Sequence, residues 1–233
     1  MVNVVDNSEA VNINVFSAED FTTYIHTPSG DPYLTVDPMN QINIIDLPRD
    51  ATSALKKAYT IGAFDLKFHM NLSNFPAKQE EGGAIFLGPA FRRDEGVNWP
   101  AADGTGAIFL LVRTYGGSAS CRLVNRSNAW NTPEGVGPEM YMFDFIGHDF
   151  FIHMHRDITS NSSTLTVEFY DDFNMTIPSL YIDSNVVNLP LINNGEPDLL
   201  TFPYFVPIGA FNGQPNPDYY ASGILNEFNL QLF

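Results

Sequence analysis

Hydrophobic and polar residues alternate along much of the chain between residues 62 and 171, and this alternation predicts a run of β-strands. The clearest stretch is residues 64–70, where Phe64, Leu66 and Phe68 are interleaved with Asp65 and Lys67. A period of two directs one set of side chains into a core and the other set away from it. The predicted strands of this run are residues 62–70, 83–91, 107–115, 119–125, 139–145, 150–156 and 164–171.

Further strands are predicted on both sides of this run. Residues 10–16 and 41–46 precede it, and residues 203–211 and 222–233 follow an irregular stretch rich in Asn and Pro at 172–202. Residues 50–58 form the one predicted helix, with Asp50 as its cap and at most about two turns. About a dozen strands without a linker-like break predict one all-β domain over residues 1–233. Its length favours a jelly-roll β-sandwich of two antiparallel sheets over an immunoglobulin domain.

Two long polar connections hold the two tryptophans of the chain. Trp99 follows the strand at 83–91, Trp130 follows the strand at 119–125, and a Gly116-Gly117 turn separates the strands between them. Successive turns of an antiparallel meander lie at opposite ends of a sheet, so both tryptophan connections are expected at the same end. Aromatic faces stack on the C–H surfaces of sugars, and nearby polar side chains bond the hydroxyls. The candidate ligand-binding residues are Trp99, Trp130, Arg93, Asp94, Asn98, Asn128, Asn131, Glu134 and Tyr141. The alternative for each tryptophan is structural, with its ring closing the end of the sandwich.

The charge of the chain argues against some classes of partner, and its cysteine content excludes an intrachain disulfide. The formal net charge is −16, from 27 acidic and 11 basic residues, which argues against nucleic acid and against anionic membrane surfaces. Cys121 is the single cysteine, so no intrachain disulfide can form, and its place in a strand pattern predicts a core residue. No apolar stretch approaches a membrane span, and residues 1–6 lack the features of a signal peptide. An extracellular, cell-surface or virion location is expected if the chain is part of a larger protein.

A second polar cluster is predicted on the strand at 150–156. His153 and His155 lie two residues apart and share one face, with His148 and Glu168 expected nearby. Such a set could ligate zinc or provide acid–base catalysis, although a solvated polar sheet face would also explain it. Glu139 shares a face with Tyr141, and these residues would form one polar groove with the histidines if they all lined one concave sheet.

Three pairs of segments resemble the concanavalin A-like lectin and glucanase superfamily. They are residues 63–70 with 83–87, residues 148–156 with 165–171, and residues 207–211 with 221–230. The resemblance implies the jelly-roll fold and a glycan or polysaccharide ligand. It also implies a calcium site between the N-terminal segment and the last strand. Glu227 is the best-matching position for that site, and the oxygen-rich loops 27–32 and 212–218 would suit a hard cation.

Three functions follow from the resemblance and stay open at the level of sequence. The first is a non-catalytic carbohydrate-binding domain, favoured because the alternating acidic motif of the laminarinase-like hydrolases is missing. The second is a glycoside hydrolase or polysaccharide lyase, with Glu139 and Glu168 as its carboxyl pair and His153 and His155 beside them. The third is a receptor-binding or structural domain of a phage or virus surface protein. That function would make the chain part of a homo-oligomer, with the apolar segment 199–205 at an interface.

Overall fold

The computed structural model describes residues 11–13, 34–36, 42–47, 61–74, 85–92, 107–115, 118–125, 135–193, 195–199, 201–202, 204–206, 209–211 and 221–233. These residues form sixteen strands: β1 (Val11–Ile13), β2 (Leu34–Val36), β3 (Ile42–Leu47), β4 (Phe64–Asn74), β5 (Ile85–Arg92), β6 (Ala107–Tyr115), β7 (Ser118–Asn125), β8 (Met140–Met142), β9 (Asp149–Ile158), β10 (Ser163–Tyr170), β11 (Val186–Pro190), β12 (Ile192–Asn193), β13 (Glu196–Pro197), β14 (Tyr204–Val206), β15 (Gly209–Phe211) and β16 (Ala221–Leu232). No helix in this part of the chain is long and apolar enough to cross a membrane.

The strands build two antiparallel sheets and one small hairpin. The eight-stranded sheet has the order β11-β10-β9-β4-β16-β3-β2, with β1 also paired to β16. The six-stranded sheet has the order β14-β5-β6-β7-β8, with β15 also paired to β5. The hairpin is β12-β13. The chain therefore folds as the jelly-roll β-sandwich that its strand pattern predicted.

The meander covers only part of the predicted run of strands. β5, β6, β7 and β8 are consecutive neighbours, but β4 lies in the other sheet, between β9 and β16. The chain thus crosses from one sheet to the other between β4 and β5 and returns before β9. Because β16 joins β4 to β3, the last strand lies in the middle of the eight-stranded sheet and also pairs with β1. The last strand of the chain therefore lies beside its N-terminal strand.

Large apolar side chains from both sheets form the core. On β4, Phe64, Leu66, Phe68 and Met70 point inward, as their alternation predicted. The six-stranded sheet contributes Ile108, Leu110, Val112, Cys121, Leu123 and Met140. Burying a side chain of this size stabilises the fold by about 1.5–3 kcal/mol. Cys121 is fully buried and has a free thiol, which agrees with its predicted place in the core.

Arg156 continues the inward-facing row of β9 and is almost fully buried. Its guanidinium donates hydrogen bonds to the carbonyl oxygens of Asp198 and Gly62 and to Oγ of Ser163. The same group lies 5.0 Å from the ring centre of Phe202. These contacts satisfy a charge that would otherwise be costly to bury, and they tie the end of β9 to the segment around Phe202.

Several predictions need correction or stay untested at the level of elements. Residues 172–202 are not irregular throughout, because they contain β11, β12 and β13. Within the segment 199–205, Phe202 belongs to the core, so that part of it does not form an oligomer interface, whereas Leu199 is 47% exposed. The predicted helix at residues 50–58 and the side chains of Leu200 and Phe205 lie outside the described residues.

Candidate functional site

The outer surface of the six-stranded sheet carries a hydrogen-bonded charged pair. Alternation along β7 directs Ser120 and Arg122 away from the core, and Glu139 lies just before β8. Oε1 of Glu139 accepts a hydrogen bond from Ser120, and its Oε2 accepts one from Arg122 at 2.5 Å. Both charged side chains are less than a third exposed. We call Ser120, Arg122, Glu139 and Tyr141 the six-strand face.

Tyr141 is the exposed residue of the six-strand face and lies on the edge strand β8. It lies opposite Ser120 in the pairing of β7 with β8, and it is 44% exposed. Its backbone N–H donates to Oδ1 of Asp183, and its carbonyl accepts from the N–H of Asp183, so the edge strand is held in place. A cavity of about 770 Å³ adjoins the ring. Its lining includes Ser118, Tyr141, Phe143, Asp144 and Ile146.

The strand ends that carry the two tryptophan connections lie together. Arg92, at the end of β5, is paired with Ala107, and Asn125, at the end of β7, is paired with Ile108. Both connections therefore leave from one end of the six-stranded sheet, as the meander predicted. Tyr141 lies toward the opposite end, near Ser118. The predicted ligand-binding residues of the two connections lie outside the described residues and stay a prediction: Arg93, Asp94, Asn98, Trp99, Asn128, Trp130, Asn131 and Glu134.

A second polar cluster lies on the outer surface of the eight-stranded sheet. β9 directs His153 and His155 to this surface, while β4 contributes Asp65 and β10 contributes Glu168. Nδ1 of His153 is 2.8 Å from Oε2 of Glu168, and its Nε2 is 2.8 Å from Oδ2 of Asp65. We call these four residues the eight-strand face. The predicted placement of His153, His155 and Glu168 together is confirmed.

Opposing effects set the protonation of His153. Burial lowers the pKa of its imidazole, but the hydrogen bonds and charges of Asp65 and Glu168 outweigh burial and raise it above the ordinary value. Burial raises the pKa of Asp65, while the hydrogen bond and charge of His153 lower it, with a net decrease. A neutral imidazole has one N–H, so only the imidazolium can donate to both carboxylates at once. The geometry is that of a cation held between two anions.

His155 stands beside this triad with one unsatisfied nitrogen. Its ring centre is 4.9 Å from that of His153, and its Nε2 lies 3.3 Å from Oδ2 of the exposed Asp157. Among the described residues, no hydrogen-bond partner reaches its buried Nδ1. His153, His155 and Glu168 each place one potential ligand atom within 4.8 Å of the other two, and this spacing suits a metal ion.

His148, which the sequence placed near these histidines, makes a different set of contacts. Its Nε2 is 3.0 Å from Oδ1 of Asp171, and its ring stacks on Tyr181 at 3.7 Å. It is not a member of the group whose atoms could converge on one ion. His148 therefore fastens the loop after β10 to the end of the sheet.

The carboxyl pair proposed for a hydrolase is not formed. Glu168 belongs to the eight-stranded sheet, whereas Glu139 is bound to Ser120 and Arg122 on the six-stranded sheet. The prediction that Tyr141, Glu139 and the histidines could line one concave groove is wrong for the same reason, since they lie on the two outer surfaces of the sandwich. Alternation of side chains assigns a residue to a face of its own strand, but it does not assign strands to sheets.

Glu227, the predicted calcium ligand, lies in an irregular turn of β16. The pairing of β16 with β4 is interrupted between Asn226 and Asn229, and Glu227 has a φ of 56° there. Its side chain is exposed and lines a cavity of about 380 Å³ together with Lys67, Phe151 and Phe173. The positive charge of Lys67 at the same cavity disfavours the binding of a cation there. Among the described residues, Glu227 also belongs to no group of side chains that could ligate a metal ion.

Two features of the eight-stranded sheet were not predicted from the sequence. Asp65 was read only as part of an alternating strand, and its contact with His153 spans 88 positions in the chain. The cavity beside Glu227 combines residues of β4, β9 and β16 with Phe173 and Met175. Each depends on which strands become neighbours, and no local pattern in the chain carries that information.

The fold is shared with lectins of known structure and with VIP36. The basic winged bean lectin with Tn-antigen aligns with a TM-score of 0.54 at 11% identity, covering 95% of this chain and 97% of that chain. The lectin UEA-II complexed with galactose gives 0.51 at 11% identity, covering 97% and 99%. The exoplasmic/lumenal domain of VIP36 in its Ca²⁺/Man2-bound form gives 0.50 at 12% identity, covering 94% and 85%.

These alignments show a common architecture over nearly the whole chain. No protein-family model and no curated protein matches the sequence of this chain. At identities of this size the likeness concerns the fold, which is the concanavalin A-like jelly roll that the three pairs of segments resembled.

Proposed function

Since the chain has the fold of the concanavalin A-like lectins, we propose that it is a non-catalytic glycan-binding domain. The observation that carries this proposal is the exposed Tyr141 on the six-strand face, which adjoins a cavity of about 770 Å³. An aromatic face that is open to solvent beside fixed polar groups is the arrangement that sugars bind, because stacking and hydroxyl hydrogen bonds are provided together.

The groups around Tyr141 match the surface of a hexose. The rings of Tyr141 and Phe143 are 44% and 52% exposed and offer apolar faces to sugar C–H groups. Asp144 and Ser118 line the same cavity and offer an acceptor and a donor for hydroxyls. The pair of Glu139 and Arg122 is already bonded, so it forms a rigid polar margin.

The tryptophan connections extend the proposal to the other end of the same sheet. Both leave from one end of the six-stranded sheet. The sequence of the first combines Trp99 with Arg93, Asp94 and Asn98, and that of the second combines Trp130 with Asn128, Asn131 and Glu134. The basic winged bean lectin, UEA-II and VIP36 share the fold and are seen with Tn-antigen, galactose and Man2, so we propose a hexose-containing glycan as the ligand. VIP36 is seen in a Ca²⁺-bound form, and repeating the binding measurement with EDTA tests whether calcium contributes to binding by this chain.

The test is a glycan array followed by calorimetry on the ligand it identifies. Tyr141→Ala should weaken binding by about 1–3 kcal/mol, as expected for an aromatic anchor of an interface. Trp99→Ala and Trp130→Ala should also weaken binding. The matched control is Phe173→Ala, which removes an exposed aromatic ring near the other sheet and should leave the affinity unchanged.

Two results would contradict this assignment. An array without any bound glycan would remove the lectin function. A bound glycan whose affinity is insensitive to Tyr141→Ala, Trp99→Ala and Trp130→Ala would place the site elsewhere on the molecule. Release of products from a broad polysaccharide panel would show that the domain is catalytic.

A further inference from the structure

We propose that His153, His155 and Glu168 form a binding site for a divalent transition-metal ion such as Zn²⁺. The site lies on the eight-strand face, on the opposite sheet from Tyr141, and it does not depend on the glycan-binding proposal. All three side chains are partly exposed, at 18%, 23% and 24%, so the cluster borders solvent.

The distances among the three side chains are close to those of a metal centre. Zinc binds imidazole nitrogen and carboxylate oxygen at about 2.0–2.2 Å, so two tetrahedral ligands lie roughly 3.3 Å apart. The contact between Nδ1 of His153 and Oε2 of Glu168 is 2.8 Å, and the whole set spans 4.8 Å. Small side-chain rotations would open the first contact and draw His155 inward, while the backbone positions are already fixed by β9 and β10.

The free nitrogen of His155 supplies the third ligand. Within the described residues its buried Nδ1 has no hydrogen-bond partner, although buried polar atoms are normally satisfied. A metal ion would satisfy it. The neighbouring Nε2 is bound only at 3.3 Å to Asp157, a contact that can hold the ring without competing for Nδ1.

Asp65 occupies the position of an orienting carboxylate. Metal-ligating histidines commonly donate their other ring N–H to a carboxylate, which fixes the tautomer and strengthens the ligand. Nε2 of His153 faces Oδ2 of Asp65 at 2.8 Å, which leaves Nδ1 for the ion. The ion would then replace the proton now shared between His153 and Glu168, and its two positive charges would balance the carboxylates of Asp65 and Glu168.

The ligand types select the class of ion. Two imidazole nitrogens with one carboxylate suit zinc and the neighbouring transition metals, whereas calcium and magnesium prefer all-oxygen sites. A fourth position would be left to water. This ligand set therefore differs from a calcium site at Glu227, which offers oxygen alone.

The experiment is a calorimetric titration of the full chain with ZnCl₂ in a chelator-free buffer near neutral pH. One equivalent should bind, and His155→Gln and Glu168→Gln should each lower the affinity by at least about tenfold. Asp65→Asn should lower it by about 10–100-fold, the range found for orienting partners of metal ligands. The matched control is His148→Gln, which removes an imidazole bound to a carboxylate outside the cluster and should leave zinc binding intact.

A second measurement keeps the test independent of the folding of any variant. Co²⁺ added to the unmodified chain should give the intense visible absorption of a four-coordinate site, and Zn²⁺ should abolish it by displacement. Absence of zinc binding by the unmodified chain would overturn the proposal. So would stoichiometric binding that persists in both His155→Gln and Glu168→Gln, because the ion would then lie elsewhere.

Discussion

At the scale of single residues, Asp171 links the loop after β10 to the end of the sheet. Burial raises the pKa of its carboxyl, but hydrogen bonds from Ser179, His148 and the N–H of Leu180 outweigh burial and hold the pKa below its ordinary value. A carboxyl with a lowered pKa in the folded state stabilises the fold above its unfolded pKa of about 3.9. That stabilisation is lost as the pH falls through the folded pKa.

Asp171→Asn should therefore destabilise the protein by about 1 kcal/mol near neutral pH, a value kept low because the site is partly solvated. The difference between the variant and the unmodified chain should shrink as the pH falls below about 4. Urea unfolding at a series of pH values measures it. A difference that stays constant from neutral to acidic pH would show that the ionised carboxyl contributes nothing.

The alternation of polar and apolar residues predicted some of the residues of the two polar faces. Alternation placed His153 and His155 on one side of β9 and brought Glu168 near them, because β9 and β10 are joined by a short turn. It could not find Asp65, which reaches His153 only because β4 lies on the other side of β9. It also paired Glu139 with Glu168 wrongly, since both are polar-face residues of strands that belong to different sheets.

At the scale of elements, β16 and β4 approach each other so closely that one position excludes a side chain. A Cβ on Gly223 would lie 2.2 Å from the carbonyl oxygen of Asn71 and 2.8 Å from Cα of Leu72, both of which are backbone atoms. Neither can move without displacing the strand. Gly223 is thus required by the contact between the central strands of the eight-stranded sheet.

Gly223→Ala should destabilise the protein by about 3 kcal/mol, the upper part of the range for overpacking. Gly62→Ala is the matched control, because its added Cβ would meet its nearest neighbour only at 4.0 Å and should change stability by less than about 1 kcal/mol. Thermal unfolding of both variants decides between them. Equal melting temperatures would mean that β16 shifts freely against β4.

The elements themselves were predicted better than their lengths and partners. Strands with clear alternation, such as β4 and β9, were found within a few residues of their observed bounds because period two is a local property, and the apolar run of β6 was found at its observed bounds. β8 is only three residues long, shorter than the predicted 139–145, because residues 143–146 leave the sheet and line the cavity beside Tyr141. The short strands β11 to β13 carry weak patterns and are held mainly by their neighbours.

At the scale of the whole molecule, the two polar faces lie on opposite outer surfaces with the core between them. Stacked sheets are about 10 Å apart, and sites separated by such distances generally behave additively. Tyr141→Ala should therefore leave zinc affinity unchanged, and His155→Gln should leave glycan affinity unchanged within about twofold. Calorimetry with each ligand on the single and double variants measures this. A coupling larger than about 0.5 kcal/mol would mean that the sandwich transmits strain between its sheets.

The six-stranded sheet has a further property that decides how a glycan could approach it. Phe109, Leu111 and Val124 point away from the core, yet they have almost no contact with solvent. Phe109 is paired with Val124, and Leu111 with Arg122, so these residues occupy the middle of the outer surface. Because these three side chains are covered, a polymer cannot lie across them, whereas Tyr141 at the margin of the described part of the sheet is exposed. Recognition would then be end-on, directed at chain termini or branch tips. A long polysaccharide and its terminal oligosaccharide should bind equally well per terminus, and internal segments should not compete.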